Sequence, residues 1–276
     1  ERSLPKLHKQ TLKSWYKGQK THGFGVKNPL PAKGKVYLFC DEFTNFNDVP
    51  IGMAAIKLLT KLGYEVVIPA HVESGRTYLS KGLLKKAKKI ALKNIALLSD
   101  IVSEDTPLLG LEPSTILSFR DEYLNFSMGT ELESGARNLA KNTLMVDEFL
   151  DRIFERGLID KSVFTAGEKA IKLHGHCHQK SLASVVPAKR MLSFPKNYKV
   201  ENIPSGCCGM AGSFGYEKEH YDVSMQIGEL ALFPTVRKQN SEVIIAAPGT
   251  SCRHQIKDGT GRVAKHPVEI LWEAVV

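Results

Sequence analysis

Four of the five cysteines of this 276-residue chain fall in its last hundred residues: Cys177, Cys207, Cys208 and Cys252. Each stands just after an expected strand or in a loop bounded by glycine, at Gly206, Gly209, Gly212 and Gly249. Glycine lets a backbone turn tightly and come close to a bound group, which makes Gly206, Gly209 and Gly212 the candidates for lining a cofactor. Four thiolates converging from three loops suit a tetrahedral metal site or an iron–sulfur cluster. Adjacent cysteines such as Cys207 and Cys208 rarely pair with each other without strain. Few cysteines, an odd number of them and a vicinal pair point to a reducing compartment and to thiolates used for metal or redox work. The plain alternative is that these thiols are small buried apolar side chains.

A second constellation surrounds the first of these cysteines, His174-Gly175-His176-Cys177-His178. If the strand ran on, the three histidines would share one face and Cys177 the other, so they converge only if the chain bends at Gly175 or after Cys177. His176 and His178, and His254 two residues beyond Cys252, are candidate ligands or groups that orient a cysteine ligand. Cys40 is alone in the front half, and is either a core residue or an extra ligand. Three readings stay open on these residues: an iron–sulfur site, a zinc site using thiols with His176 or His178, and a metal-free thiol–disulfide site at Cys207 and Cys208.

Alternating strands and helices must position these groups. Val36–Cys40, Glu65–Pro69, Thr106–Glu112, Lys169–His174, Tyr198–Ile203 and Val243–Ala247 read as strands, with Arg262–Lys265 as a last one. Helices are expected over Pro50–Leu62, 81–99, Ser114–Tyr123, 131–157, 181–193, 219–238 and Pro267–Val275. This is an α/β pattern with parallel sheets. It also repeats: Cys40 and Cys177, Glu73-Ser74-Gly75 and Cys207-Cys208-Gly209, and Ser114-Thr115 and Ser251-Cys252 lie 137, 134 and 137 residues apart. The expected architecture is two tandem α/β repeats related by a pseudo-twofold axis, with ligand-binding loops at the strand C-termini. The boundaries expected are a basic lead-in over 1–34, a front repeat over 35–157 and a back repeat over 158–276.

The 42% hydrophobic and 24% charged composition belongs to an ordinary globular chain, and no apolar run approaches a membrane span. The net charge of +9 rests largely on the first twenty residues and on Lys81, Lys85, Lys86, Lys88, Lys89 and Lys93. Without an aromatic–basic platform this reads as a solvated helix face rather than a nucleic-acid surface. There is no Gly-x-Gly-x-x-Gly after a strand, no Gly-x-Ser-x-Gly and no P-loop.

The phrases His176-Cys177-His178-Gln179-Lys180-Ser181, Gly206-Cys207-Cys208-Gly209-Met210-Ala211-Gly212-Ser213-Phe214 and Gly249-Thr250-Ser251-Cys252-Arg253-His254-Gln255 resemble the cysteine-rich, CCG-type domain of FAD-linked oxidases and D-lactate or glycolate dehydrogenases. The same domain occurs in iron–sulfur subunits of glycolate oxidase and anaerobic glycerol-3-phosphate dehydrogenase, and in heterodisulfide reductase. The front-half phrases Asp41-Glu42-Phe43-Thr44-Asn45, Ser80-Lys81-Gly82-Leu83-Leu84, Gly110-Leu111-Glu112-Pro113-Ser114 and Arg120-Asp121-Glu122-Tyr123 look like the FAD-linked subgroup. The resemblance implies the C-terminal electron-transfer part of a larger enzyme acting on a 2-hydroxy acid. A flavin domain carrying FAD and a ferredoxin-like segment would precede it. It implies a cluster of 4Fe–4S type on Cys177, Cys207, Cys208 and Cys252, a cytoplasmic location and at most peripheral contact with the inner face of the membrane. It also marks departures: Glu73-Ser74-Gly75 and Thr115 replace cysteines in the front repeat, and Gln255 stands where the back repeat of the family can carry a further cysteine.

Overall fold

The apolar run ending at Phe39 supplies the first strand of a four-stranded parallel sheet. β1 (Gly34–Leu38) lies between β2 (Tyr64–Val67) and β3 (Leu108–Gly110), and β4 (Thr143–Met145) pairs with β3, giving the order β2-β1-β3-β4. Val36, Leu38 and Phe39 are fully buried, as expected for a parallel strand covered on both faces. The helix Val49–Lys61 presents Ile51, Ala55, Ile56, Leu58 and Leu59 to this core. Gly63, at φ +92°, ends the turn that follows it.

The back half repeats the order. β5 (Lys169–Leu173) lies between β6 (Tyr198–Asn202) and β7 (Ile244–Ala246), all parallel. The expected strand at Arg262–Lys265 is reduced to one parallel bridge between Lys265 and Ala246, at the place β4 occupies in the first sheet. The α/β class with parallel sheets is therefore borne out, and so is the repetition of topology.

The computed structural model describes residues 2–276, and these form two units, one of Leu7–Phe149 and one of Leu150–Val276 with the N-terminal residues through Lys6. The expected boundaries differ from this division in two ways. The segment expected as a lead-in contains a helix, Leu12–Gln19, whose Leu12, Trp15 and Tyr16 are buried in the first unit, with the Tyr16 hydroxyl donating to Val66 O at 2.9 Å. The single helix expected over 131–157 is two, Glu133–Asn142 and Val146–Glu155, separated by β4. A three-residue apolar strand flanked by helices has no period of its own, so the helical pattern runs through it. Within the second of these helices, Phe149 packs edge-on to Tyr64 in the first unit and Phe154 stacks on Phe194 in the second. No helix among the described residues is long and apolar enough to cross a membrane.

Candidate metal centre

β5 ends at Leu173, and its continuation bends instead of running on. His174 follows the strand, Gly175 turns the chain, and His176 caps a helix that begins at Cys177 (Cys177–Leu182). A Cβ on Gly175 would lie 2.5 Å from a Val185 methyl, so the bend needs glycine there. The bend splits the expected histidine face. His176 Nδ1 accepts from the His178 amide at 3.1 Å, and the Cys177 sulfur lies 3.9 and 3.8 Å from Nδ1 of His176 and of His178. His174 turns elsewhere: it is fully buried, and a ring nitrogen lies within 4.8 Å of both the Cys208 and the Cys252 sulfurs.

The other thiols come from the loop after β6 and from the first turn of the helix Thr250–Thr260 after β7. Gly209, at φ +98°, makes the turn after the vicinal pair, where a Cβ would meet Ser224 O at 2.2 Å and Gln255 Nε2 at 2.9 Å. Gly249 caps the helix Thr250–Thr260, and a Cβ there would lie 2.4 Å from the His176 ring and 3.3 Å from the Cys252 sulfur. The glycines that let the backbone close on this site are thus Gly209, as expected, and Gly249. At Gly206 a Cβ would meet nothing; its carbonyl accepts from Lys180 Nζ at 3.0 Å. Gly212 supplies a further left-handed turn in the same loop, at φ +67°.

The four sulfurs form one row. Cys177 interacts with Cys207, Cys207 with Cys208, and Cys208 with Cys252. These contacts, with burial, push the Cys177 and Cys208 thiols up, and the same contacts pull Cys207 and Cys252 down. The buried end of the row packs against Met210, Phe233, Val236 and Ile256. Lys180, three residues past Cys177 on the same helix, interacts electrostatically with all four sulfurs and donates to the carbonyls of Ser205 and Gly206. Lys180 falls within the first cysteine motif but is no ligand type and so escapes a search for ligands; helical spacing from Cys177 is the signal that finds it.

His254 lies outside both groups able to hold an ion, with its Nδ1 2.9 Å from the Tyr216 hydroxyl. Gln255 donates to Ser224 O at 2.8 Å. No sequence signal marks Arg2. Its guanidinium donates to Gly215 O at 2.9 Å, to the Met225 sulfur at 3.3 Å and to the Gln255 side chain, and its Nε lies 2.8 Å from an Asp258 carboxylate oxygen. The N-terminal strap thus grips the glycine-rich loop that follows the vicinal cysteines.

The first unit has the same frame with other side chains. The helix Glu42–Phe46 after β1 is capped by Asp41, as His176 caps the helix of Cys177, so Glu42 occupies the place of Cys177. The alignment of Cys40 with Cys177 is corrected accordingly: Cys40 lies before the cap, buried, with its thiol facing Asn45 Oδ1 at 3.6 Å and pushed up to about 12 by burial and by the Asp41 carboxylate. Glu42 accepts from the Ser74 amide at 3.0 Å and hydroxyl at 2.7 Å. Thr115, at the place of Cys252, donates to Glu112 O at 2.9 Å.

No protein-family model matches the chain. It is 29% identical to the D-2-hydroxyglutarate dehydrogenase of Pantoea ananatis over 99% of this chain and 26% of that protein. It is 24% identical to one subunit of the anaerobic glycerol-3-phosphate dehydrogenase of Escherichia coli K12, over 99% of this chain and 66% of that one. It is 26% identical to the lactate utilization protein A of Bacillus subtilis over 88% of this chain and 98% of that one. The chain is a homologue of these proteins. The resemblance drawn from the cysteine motifs is borne out by them. The chain spans about a quarter of the length of the D-2-hydroxyglutarate dehydrogenases it matches.

The donor set fits an iron–sulfur group or a thiophilic metal. Four neighbouring sulfurs stand beside a buried imidazole and a lysine, and a missing Cβ at Gly249 keeps the approach open.

Proposed function

We propose that the second unit holds an iron–sulfur cluster, of 4Fe–4S type, on Cys177, Cys207, Cys208 and Cys252. The chain then serves as an electron-transfer region of a flavin-linked dehydrogenase acting on a 2-hydroxy acid. The observation that carries the reading is the unbroken row of four thiols from three loops, set against homology to proteins named as dehydrogenases and a lactate utilization protein. The cluster, when bound, supplies a one-electron store. The chain's own residues do the rest. The cysteines bind, the packing of Met210 and Phe233 over Cys208 and Cys252 excludes water, and Lys180 offsets the negative charge that four thiolates gather. The flavin domain with its FAD and the ferredoxin-like segment belong to the larger protein or complex, in a reducing, cytoplasmic setting.

The test is iron and acid-labile sulfide per chain after reconstitution without oxygen, with visible absorption and EPR, beside a Cys207→Ser, Cys208→Ser variant. About four irons and four sulfides, lost in the variant, is the expected result for a cubane cluster. Neither iron nor sulfide would overturn it. The second reading is zinc at His176, Cys177 and His178, which the structure groups as able to hold an ion. A colourless protein carrying one zinc per chain, lost in a Cys177→Ser variant, would favour that reading.

A further inference from the structure

We propose that His174 is itself a ligand of the centre, through Nε2, beside Cys208 and Cys252. The proposal deepens the reading that these thiols hold a metal group and rests on it. His174 is fully buried, and its Nδ1 lies 2.7 Å from the Ser205 hydroxyl. Its Nε2 is buried with no hydrogen-bond partner. A buried imidazole nitrogen left without a partner costs roughly 1–3 kcal/mol, and the structure offers it no nitrogen or oxygen partner. It does offer two sulfurs within 4.8 Å of a ring nitrogen. With Nδ1 engaged by Ser205, the nitrogen left for those sulfurs is Nε2. Thiolate and imidazole bind a metal at about 2.3 and 2.0 Å, so a single ion can reach all three groups with small adjustments.

The surroundings also fix the ring for this task. Metal-binding histidines commonly donate their other N–H to a fixed acceptor, which sets the tautomer and aims the lone pair. The Ser205 hydroxyl can serve as such an acceptor, and it is fixed in turn: its amide donates to Ile203 O at 2.8 Å and its carbonyl accepts from Lys180. His174 is fixed by its own backbone, whose amide donates to Ala246 O at 2.8 Å. The ring therefore sits at the C-terminal end of the central strand rather than out on a loop. Gln255 stands where the family can carry another cysteine, but its amide is committed to Ser224. His174 is the protein group that supplies a further donor to the buried end of the row.

The test compares the full chain with His174→Ala, His174→Gln and Ser205→Ala variants, each reconstituted without oxygen and grown with either ordinary or 15N-labelled histidine. Pulsed EPR of the reduced cluster should show a strongly coupled nitrogen that changes with the label. It should vanish in both His174 variants while circular dichroism stays native. Ser205→Ala should keep the nitrogen but weaken metal retention roughly tenfold or more. Iron and sulfide bound without a strongly coupled nitrogen, or with one that survives His174→Gln, would overturn the proposal and leave the cluster reading intact. If the chain takes up no iron or sulfide, the cluster reading fails and Co2+ decides the role of His174 by X-ray absorption. Imidazole scattering lost in His174→Gln supports it, and a shell of sulfur without nitrogen overturns it.

Discussion

The two units build the same three loops after the same three strands and fill them in opposite ways. In the first, Glu42, Ser74, Thr115 and Glu112 satisfy one another. Tyr123 donates to Ser74 O at 2.8 Å, and Asn94 donates to Glu73 O at 2.8 Å and to the Tyr123 hydroxyl at 3.0 Å. In the second, the same places hold Cys177, Cys208 and Cys252, with Cys207 beside them and an imidazole nitrogen that no nitrogen or oxygen partners. One site is closed by its own hydrogen bonds; the other gathers sulfur and nitrogen donors of the types that bind metals. A shared backbone frame therefore does not fix chemistry, since a few side chains decide whether the frame ends in a knot or a nest.

The largest effect that separates them is metal capacity. Cys208→Ser should abolish iron and sulfide uptake, whereas Ser74→Ala, at the matching place in the first unit, should leave both unchanged. Colorimetric iron and sulfide assays on the two variants check this, and equal losses in both would erase the contrast. The next effect is on the turn glycines. Gly209→Ala should destabilise the second unit by roughly 3 kcal/mol or more, because the new methyl meets Ser224 O at 2.2 Å in a left-handed backbone. Gly75→Ala keeps the left-handed strain at φ +76° but meets nothing closer than 3.4 Å, so its cost should be about 1–2 kcal/mol. Urea unfolding of both variants measures the gap.

A further effect, which depends on pH, concerns the helix cap Asp41, whose counterpart in the second unit is His176. Burial, with the neighbouring Glu42 carboxylate, raises Asp41 from 3.8 to about 8. The folded chain thus holds this proton more tightly than the unfolded one. The contribution of Asp41 is present in full at low pH and is lost as pH rises toward 8. Asp41→Asn keeps an oxygen to accept from the amides of Phe43 and Thr44, both at 2.9 Å in the native chain, and removes the titration. Between pH 5 and pH 8 the native protein should lose roughly 3–4 kcal/mol that the variant keeps, read from unfolding curves at the two pH values. A native curve that is flat between them would refute the buried-acid account.

Much of this contrast was legible in the sequence. Every strand of the two sheets but β4, the phrases after them and the replacement of Cys-Cys-Gly by Glu73-Ser74-Gly75 are readable, because glycine-bounded loops and short apolar runs are local signals. The match of Cys40 to Cys177 was misleading, since identity of residue type overrode position relative to the helix cap, and Glu42 is the true counterpart. β4 was hidden between two helices, and Lys265 makes a single bridge rather than a strand. His174 was visible only as one of three histidines; which of them meets Cys252 depends on a bend at Gly175 and on a loop some thirty residues away. Arg2 could not be found from spacing, because every group it touches lies more than two hundred residues along the chain.

That last contact bears on how the protein is made. The first unit is one continuous stretch, Leu7–Phe149, and all its strands have left the ribosome before the back half is translated. The second unit includes the residues before Leu7, so its N-terminal strap emerges first and must wait for Gly215, Gln255 and Asp258. Domains commonly fold during synthesis, N-terminal first. Here the strap has to wait instead: the contacts of Arg2 close only once Gly215, Gln255 and Asp258 have followed the vicinal cysteines out.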